Sequence, residues 1–351
     1  MKIDKDTEKA IIVDAPKVGR VEQKPASAMD VVLPFSPWWP LFAGALLGMI
    51  LRIIFSNKAG QAYDAMGNAF MLIAPFAVGA FTVYVAETRS RRRWSYYVWA
   101  PAVANALCVI GTMAILIEGL ICAIIVVPLF AAVGATGGLV MGAICRRTNW
   151  PKQAVYSFAV LPLLLGAIPP NEVGNDYYGL VKRTIIVQAS PDKIWQQLHE
   201  ARDIRPQEVG HAWMYRIGVP LPIAGVTNEK SSELVRRITM GKSVYFDQVS
   251  NDWKVNQHVN WRYRFYEDSF PPHAMDDHVK IGGHYFDVID TNYTLTPIDT
   301  KSTELKIQMH YRINTEFNWY ANPIAQFLIG NFEEVILNFY SQRASSAEPK
   351  S

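Results

Sequence analysis

The pattern of apolar and polar positions divides the chain near residue 170. Before that point, apolar runs at about 38–55, 69–86, 97–117, 120–144 and 154–168 approach the ~20 residues that span a bilayer as helix. The fifth run is short and contains Pro162. After residue 170 the period changes. Val259, Trp261, Tyr263 and Phe265 alternate with Asn260, Arg262, Arg264 and Tyr266, and residues 305–313 alternate in the same way. That is the period of an antiparallel sheet with one buried face. Strands are predicted at 182–189, 234–240, 243–249, 258–266, 285–296 and 303–313. Residues 206–230, rich in Pro and Gly, read as a loop or irregular strand that could cover a cavity mouth. Ser190-Pro191-Asp192 predicts a helix start that carries Ile194, Trp195 and Leu198 inward. Asn322-Pro323 predicts the start of a long closing helix. Along it Ile324, Phe327, Leu328, Phe332, Val335, Ile336 and Phe339 share a face, with Glu333, Asn338 and Gln342 off it.

The predicted fold class is a multi-span α-helical membrane region followed by an α+β domain, whose curved antiparallel sheet holds the long C-terminal helix. The predicted boundaries are a polar tail at 1–37, a bundle of about five transmembrane helices at 38–168, a sheet domain at 178–345 and a tail at 346–351.

Charge refines this division. The chain has 351 residues and a formal net charge of +3, but 15 of its 34 Lys and Arg face only 9 of its 31 Asp and Glu before residue 171. Arg89, Arg91, Arg92 and Arg93 lie between runs two and three, and Arg146, Arg147 and Lys152 between runs four and five. With the N-terminal lysines they mark the cytoplasmic side, so the links near Lys58 and Glu118 face outward. Five crossings put the sheet domain outside, on the face opposite the cytoplasm; four would reverse that. Arg52 reads as a snorkelling residue and Glu118 as a turn residue, leaving no paired charge within the membrane to suggest an ion path. Gly44 with Gly48 and Gly138 with Gly142 have the small-xxx-small spacing of close helix contact. No lysine-rich run with aromatic interleaving appears after residue 170, so a nucleic-acid role has little support. The three cysteines, all in the apolar half, imply no disulfide framework.

Candidate chemistry concentrates in residues 276–287, Asp-Asp-His-Val-Lys-Ile-Gly-Gly-His-Tyr-Phe-Asp. Three readings are open. Asp277 and His278 could act as acid and base. His273, Asp276, His278 and His284 could hold a metal such as zinc, although their spacing matches no specific signature. Alternatively the run is a structured loop, with Asp caps and positive φ at Gly282-Gly283. Neighbouring strand residues point to opposite faces, so Asp276 and Asp277 cannot both line a pocket without a bulge. Neither a metal nor a cofactor is assigned.

The opening Lys-Arg-Thr-Ile-Ile-Val-Gln-Ala-Ser-Pro-Asp-Lys-Ile-Trp at 182–195 resembles the first strand and helix of the START-like, or SRPBCC, helix-grip superfamily. This superfamily includes polyketide cyclase/dehydrase-like and lipid-binding members. Ile217-Gly218-Val219-Pro220, together with the run at 276–287, resembles a membrane-anchored bacterial subgroup. The resemblance implies a cavity between sheet and helix for an apolar or amphipathic ligand. Candidate lining residues are Trp213, Trp261, Tyr263, Phe265, His284, Tyr285, Met309, Tyr311, Phe327 and Phe332. The leading expectation is a membrane-anchored binding or transfer protein for a lipid or isoprenoid-like molecule, its partners being the lipid bilayer and that ligand. The alternatives are a cyclase or dehydratase-like lyase using Asp277 and His278, and a non-enzymatic assembly or regulatory protein.

Overall fold

The computed structural model describes residues 38–55, 62–148, 155–168, 176–230, 232–276 and 278–346. Pro40–Ser351 forms one compact unit; of the other, Met1–Trp39, only Trp38 and Trp39 are described. The expected tail at 1–37, residues 347–351, Lys58, Lys152 and Asp277 lie outside the described residues.

Each apolar run contains a helix: α1 (Trp39–Ile54), α2 (Ala74–Glu87, entered through a π-turn at Ala69–Ile73), α3 (Tyr96–Ala114), α4 (Leu120–Arg147) and α5 (Val155–Gly166). Three stretches, Ala69–Glu87, Tyr96–Ala114 and Leu120–Arg147, are long and apolar enough to cross a membrane. The helices at 39–54 and 155–166 are shorter, with 16 and 12 residues. Both small-xxx-small pairs pack inside this chain's own bundle. Gly44 meets Thr82 and Ala104, Gly48 meets Cys108, and Gly138 and Gly142 both meet Tyr97. The outward side of the bundle stays apolar, with Phe42, Ile53, Ile110 and Leu164 all more than half exposed.

One expectation in this region is corrected. Arg52 and Glu118 are neither a snorkelling residue nor a plain turn residue: Arg52 Nε meets Glu118 Oε1 at 2.5 Å, with side chains 4% and 15% exposed. The end of α1 and the turn between α3 and α4 bring them together across 66 positions of sequence. No local pattern could show such a pair.

The second half is an eight-stranded antiparallel sheet. Its strands are β1 (Asp176–Val187), β2 (Glu200–Ala201), β3 (Pro222–Lys230), β4 (Glu233–Met240), β5 (Tyr245–Lys254), β6 (His258–Arg264), β7 (Phe286–Pro297) and β8 (Thr303–Asn314), in the order β1-β8-β7-β6-β5-β4-β3-β2. In β8 alternation is nearly complete: Leu305, Ile307, Met309, Tyr311 and Ile313 are buried and the residues between them are not. The helices are α6 (Pro191–His199), α7 (Pro206–Val209), α8 (Trp213–Arg216) and the closing α9 (Asn318–Ser346). The buried side chains of α9, among them Ile329, Ile336, Leu337 and Phe339, share one core with Val187, Trp261, Leu305 and Ile307 of the sheet. Arg343 fastens its far end, donating from Nε and Nη2 to the two oxygens of Glu208 at 2.8 and 2.9 Å. That ion pair holds the Glu208 carboxyl down to about 2.

Three further details depart from the sequence expectation. Residues 206–230 hold two short helices ahead of the expected irregular strand, β3, which has a register shift between Pro222 and Ala224 and pairs with both β2 and β4. The closing helix begins before Pro323, because the Tyr320 and Ala321 amides both donate to the Phe317 carbonyl and start the first turn there. Pro323 therefore lies inside the helix and forgoes one bond. Glu333 is buried rather than off the apolar face, because the helix has neighbours on more than one side. Neither of its carboxylate oxygens has a hydrogen-bond partner among the described residues.

Burial pushes the Glu333 carboxyl up to about 8, against the opposing pull of the Arg183 charge. The folded chain thus keeps a proton that the unfolded chain releases near the ordinary 4.5. This costs stability progressively as pH rises from about 4.5 to 8. Glu333→Gln should gain stability over the parent across that window, on the order of 3 kcal/mol by pH 8. Denaturant melts at pH 5 and pH 8 check this.

Candidate functional site

The long connection between β6 and β7 carries the run at 276–287, and the structure sets that run against the end of the helical bundle. Asp276 reaches the start of α4, where its Oδ2 accepts the Cys122 backbone N–H at 3.2 Å. The carboxylate thereby caps, from outside, a helix whose own N-cap is Gly119 and makes no side-chain cap bond. The approach is so close that a Cβ at Gly119 would collide with the Asp276 carboxylate. Tyr285 Oη donates to both oxygens of Asp64 at 2.9 and 3.1 Å. Tyr320 of α9 donates to the Ile125 carbonyl at 2.6 Å, and the Asn68 amide donates to the Glu316 carboxylate. These bonds latch the sheet domain to the bundle.

Within the run, Gly282 takes φ +76° and its amide donates to Asp287 Oδ1 at 2.8 Å. His278 is buried, with its ring 5.5 Å from that of Tyr285. His284 is exposed, edge-on to the other side of Tyr285 at 4.9 Å. Among the described residues no three His, Cys, Asp or Glu side chains converge in a way that could hold a metal ion.

Among the described residues, three apolar cavities with shared lining residues lie in a row beside this latch. The first, about 60 Å³, is inside the bundle, between Arg52, Glu118, Cys108 and Phe130, and is closed by His278, Val279 and Phe317. The second, about 180 Å³, lies at the junction under Ile121, Met214, Tyr285 and Ile324. The third, about 160 Å³, lies between the concave sheet and α9. Met66, Ile125, His278, Val279 and Phe317 belong to the walls of the first and second. Met214, Val219, Met275, Ile281, Phe286 and Ile329 belong to the second and third. The lining is almost wholly apolar, the usual character of a site for an apolar small molecule.

The residues anticipated from sequence divide into three groups. Tyr263, Met309 and Phe332 line the third cavity, and Tyr285 and His278 line the second. Trp261 and Tyr311 are buried in the sheet core away from these walls; Tyr311 donates to Asn322 Oδ1 at 2.7 Å. Phe265 stands in an aromatic cluster with Phe246 and Phe270. Trp213 and Phe327 are largely exposed, with rings 6.3 Å apart, and His284 also lies outside the cavities. Sequence reasoning missed Arg236 and Gln248 in the third cavity. Arg236 shares the parity of Leu234, Ile238 and Met240 along β4, so the alternation itself points it inward. His199 is a further, half-buried titratable group, its ring 4.2 Å from that of Trp195. Burial pushes it down to about 4, so it is neutral at pH 7.

The second half thus grips a long C-terminal helix in a curved antiparallel sheet opened by a strand and a short helix. This is the helix-grip fold. No protein-family model matches the chain, and no curated protein matches it. Among solved structures it is similar to a START superfamily protein from Mycobacterium smegmatis, at 15% identity over 48% of this chain and 99% of that one, TM-score 0.33. It is also similar to the ZhuI aromatase/cyclase from Streptomyces sp. R1128 (12%, 48% and 94%, TM-score 0.31). A third is norcoclaurine synthase from Thalictrum flavum in complex with dopamine and hydroxybenzaldehyde (12%, 50% and 91%, TM-score 0.31). At such identities and TM-scores none of these activities transfers by likeness.

The latch makes a direct prediction. Asp276→Ala should remove the external cap of α4 at a cost of about 1 kcal/mol, raising hydrogen exchange of the Cys122 amide by about fivefold. Amides in the middle of β7 and β8 should be unchanged in the same exchange experiment.

Proposed function

We propose that the chain is a membrane-held binding or transfer protein for a hydrophobic, amphipathic molecule, which moves between the helical bundle and the cavity beneath the sheet. The observation that carries this reading is the row of three apolar cavities with shared walls, running from Arg52 and Cys108 in the bundle to Phe339 under the sheet. An isolated binding domain would need no such row; a protein that takes its ligand from a bilayer would. A membrane setting is further supported by the apolar outward side of the bundle, which would be costly to leave in water.

Charge supports an orientation. The Arg146 guanidinium donates to the Arg92 carbonyl, and Arg91 to the Cys145 carbonyl, so the arginine-rich links meet at one end of the bundle. Asp64, Glu118 and Gly119, which lie at or beside the latch, are at the other. By the positive-inside rule the sheet domain then sits on the extracytoplasmic face. The lyase reading retains one supporting observation, the position of buried His278 in the wall between two cavities. If the protein is a carrier, His278→Gln should bind ligand as the parent does.

Native mass spectrometry of the full chain in detergent tests the proposal. The parent should carry a co-purifying amphiphile, or take one up from a lipid extract. Ile281→Trp, which plugs the wall between second and third cavities, should lower occupancy about tenfold while the melting temperature changes by only a few degrees. A parent that stays empty after incubation with the extract contradicts the proposal.

A further inference from the structure

The third cavity is apolar except at one place. Arg236 lines it with a side chain that is 4% exposed, and its Nη2 donates to Tyr340 Oη at 2.7 Å. Its Nε has no partner, and no carboxylate pairs with it among the described residues. An arginine cannot shed its proton in a protein, so this is a cation held inside an apolar wall with phenols for company. A buried charge is expensive unless it is paired.

The surroundings fit an absent partner. Gln248 faces Arg236 directly in the β4–β5 register, and its Oε1 is also buried and unpartnered. Tyr263 is the next residue in the same row across β5 and β6, and it lines the cavity too. On the other side, a Cβ at Gly225 of β3 would come within 2.8 and 2.9 Å of Arg236 Nη2 and Nε. The glycine thus leaves the space that the guanidinium occupies. Glu333, the buried carboxyl on α9, is not among the residues lining this cavity and does not supply the missing anion.

We infer that Arg236 receives the oxyanion head of an amphipathic ligand, whose apolar tail extends past Ile281 and Phe286 toward the junction cavity. The guanidinium fork suits a group with two adjacent oxygens, held by parallel N–H···O bonds. A fatty-acid carboxylate and a lysophospholipid phosphate share that chemistry. The inference rests on the carrier reading above and adds the class of head group.

The test uses the full chain in detergent with three probes of equal chain length: palmitate, palmitoyl lysophosphatidate and hexadecanol. Both oxyanion probes, or the one whose head fits, should bind at least about tenfold more tightly than the alcohol. Arg236→Gln should bring them to within about twofold of it. Gly225→Val, which displaces the guanidinium without removing it, should act in the same direction and serves if the glutamine variant fails to fold. Whichever oxyanion binds more tightly identifies the source of the head. Equal binding of hexadecanol by the parent, or a preference that survives both substitutions, overturns the inference and leaves the carrier reading standing. Failure of all three probes to bind overturns both.

Discussion

The structure depends on how two differently built halves meet without leaving polar backbone exposed to an apolar interior. Helix ends present unpaired amides and carbonyls, and a row of cavities that runs from a bundle into a sheet domain must pass such ends. Here the cost is met locally. Asp276 takes an otherwise unpaired amide at the start of α4, while Tyr320 donates to the Ile125 carbonyl within that helix and Tyr285 to the Asp64 carboxylate, so polar bonds tie the two halves across the junction. With those groups satisfied, His278, Val279 and Phe317 can form a wall common to both sides. The run at 276–287 is thus placed where two apolar interiors join.

That placement explains both how much the sequence disclosed and where it stopped. Period alone separated helical from sheet halves, because bilayer spans and half-buried strands leave opposite signatures. The β8 alternation is nearly complete in the folded chain. What stayed hidden depended on long-range pairing. Arg52 and Glu118 lie 66 positions apart and only meet through the bundle. Strand β3 owes its existence to partners on both sides rather than to its own side chains. The density of Asp and His at 276–287 could be read as chemistry or as loop, and only its docking partners show what Asp276 touches.

Aromatic residues illustrate the same limit within the candidate site. Trp261, Tyr263 and Phe265 share one parity on alternate positions of sequence, yet only Tyr263 of the three lines the cavity. Trp261 is wholly buried in the core and Phe265 packs against other rings. Parity selects the inward face, but the curvature of the sheet and the seat of α9 decide which inward residues border open space. Arg236 was legible by parity and was overlooked because a charged residue in an apolar phase is ordinarily an edge or surface feature.

The central claim is that the row of apolar cavities serves as one route between the bundle and the sheet domain. Photolabelling the full chain in vesicles with a diazirine-bearing palmitate tests it most directly. The account predicts labelled peptides from the path interior, around Val109, Ile125, Ile281 and Ile336, and loss of the Ile336 label alone when Ile281 is replaced by Trp. Labelling confined to outward-facing residues such as Phe42, Ile53 and Ile110 would contradict it.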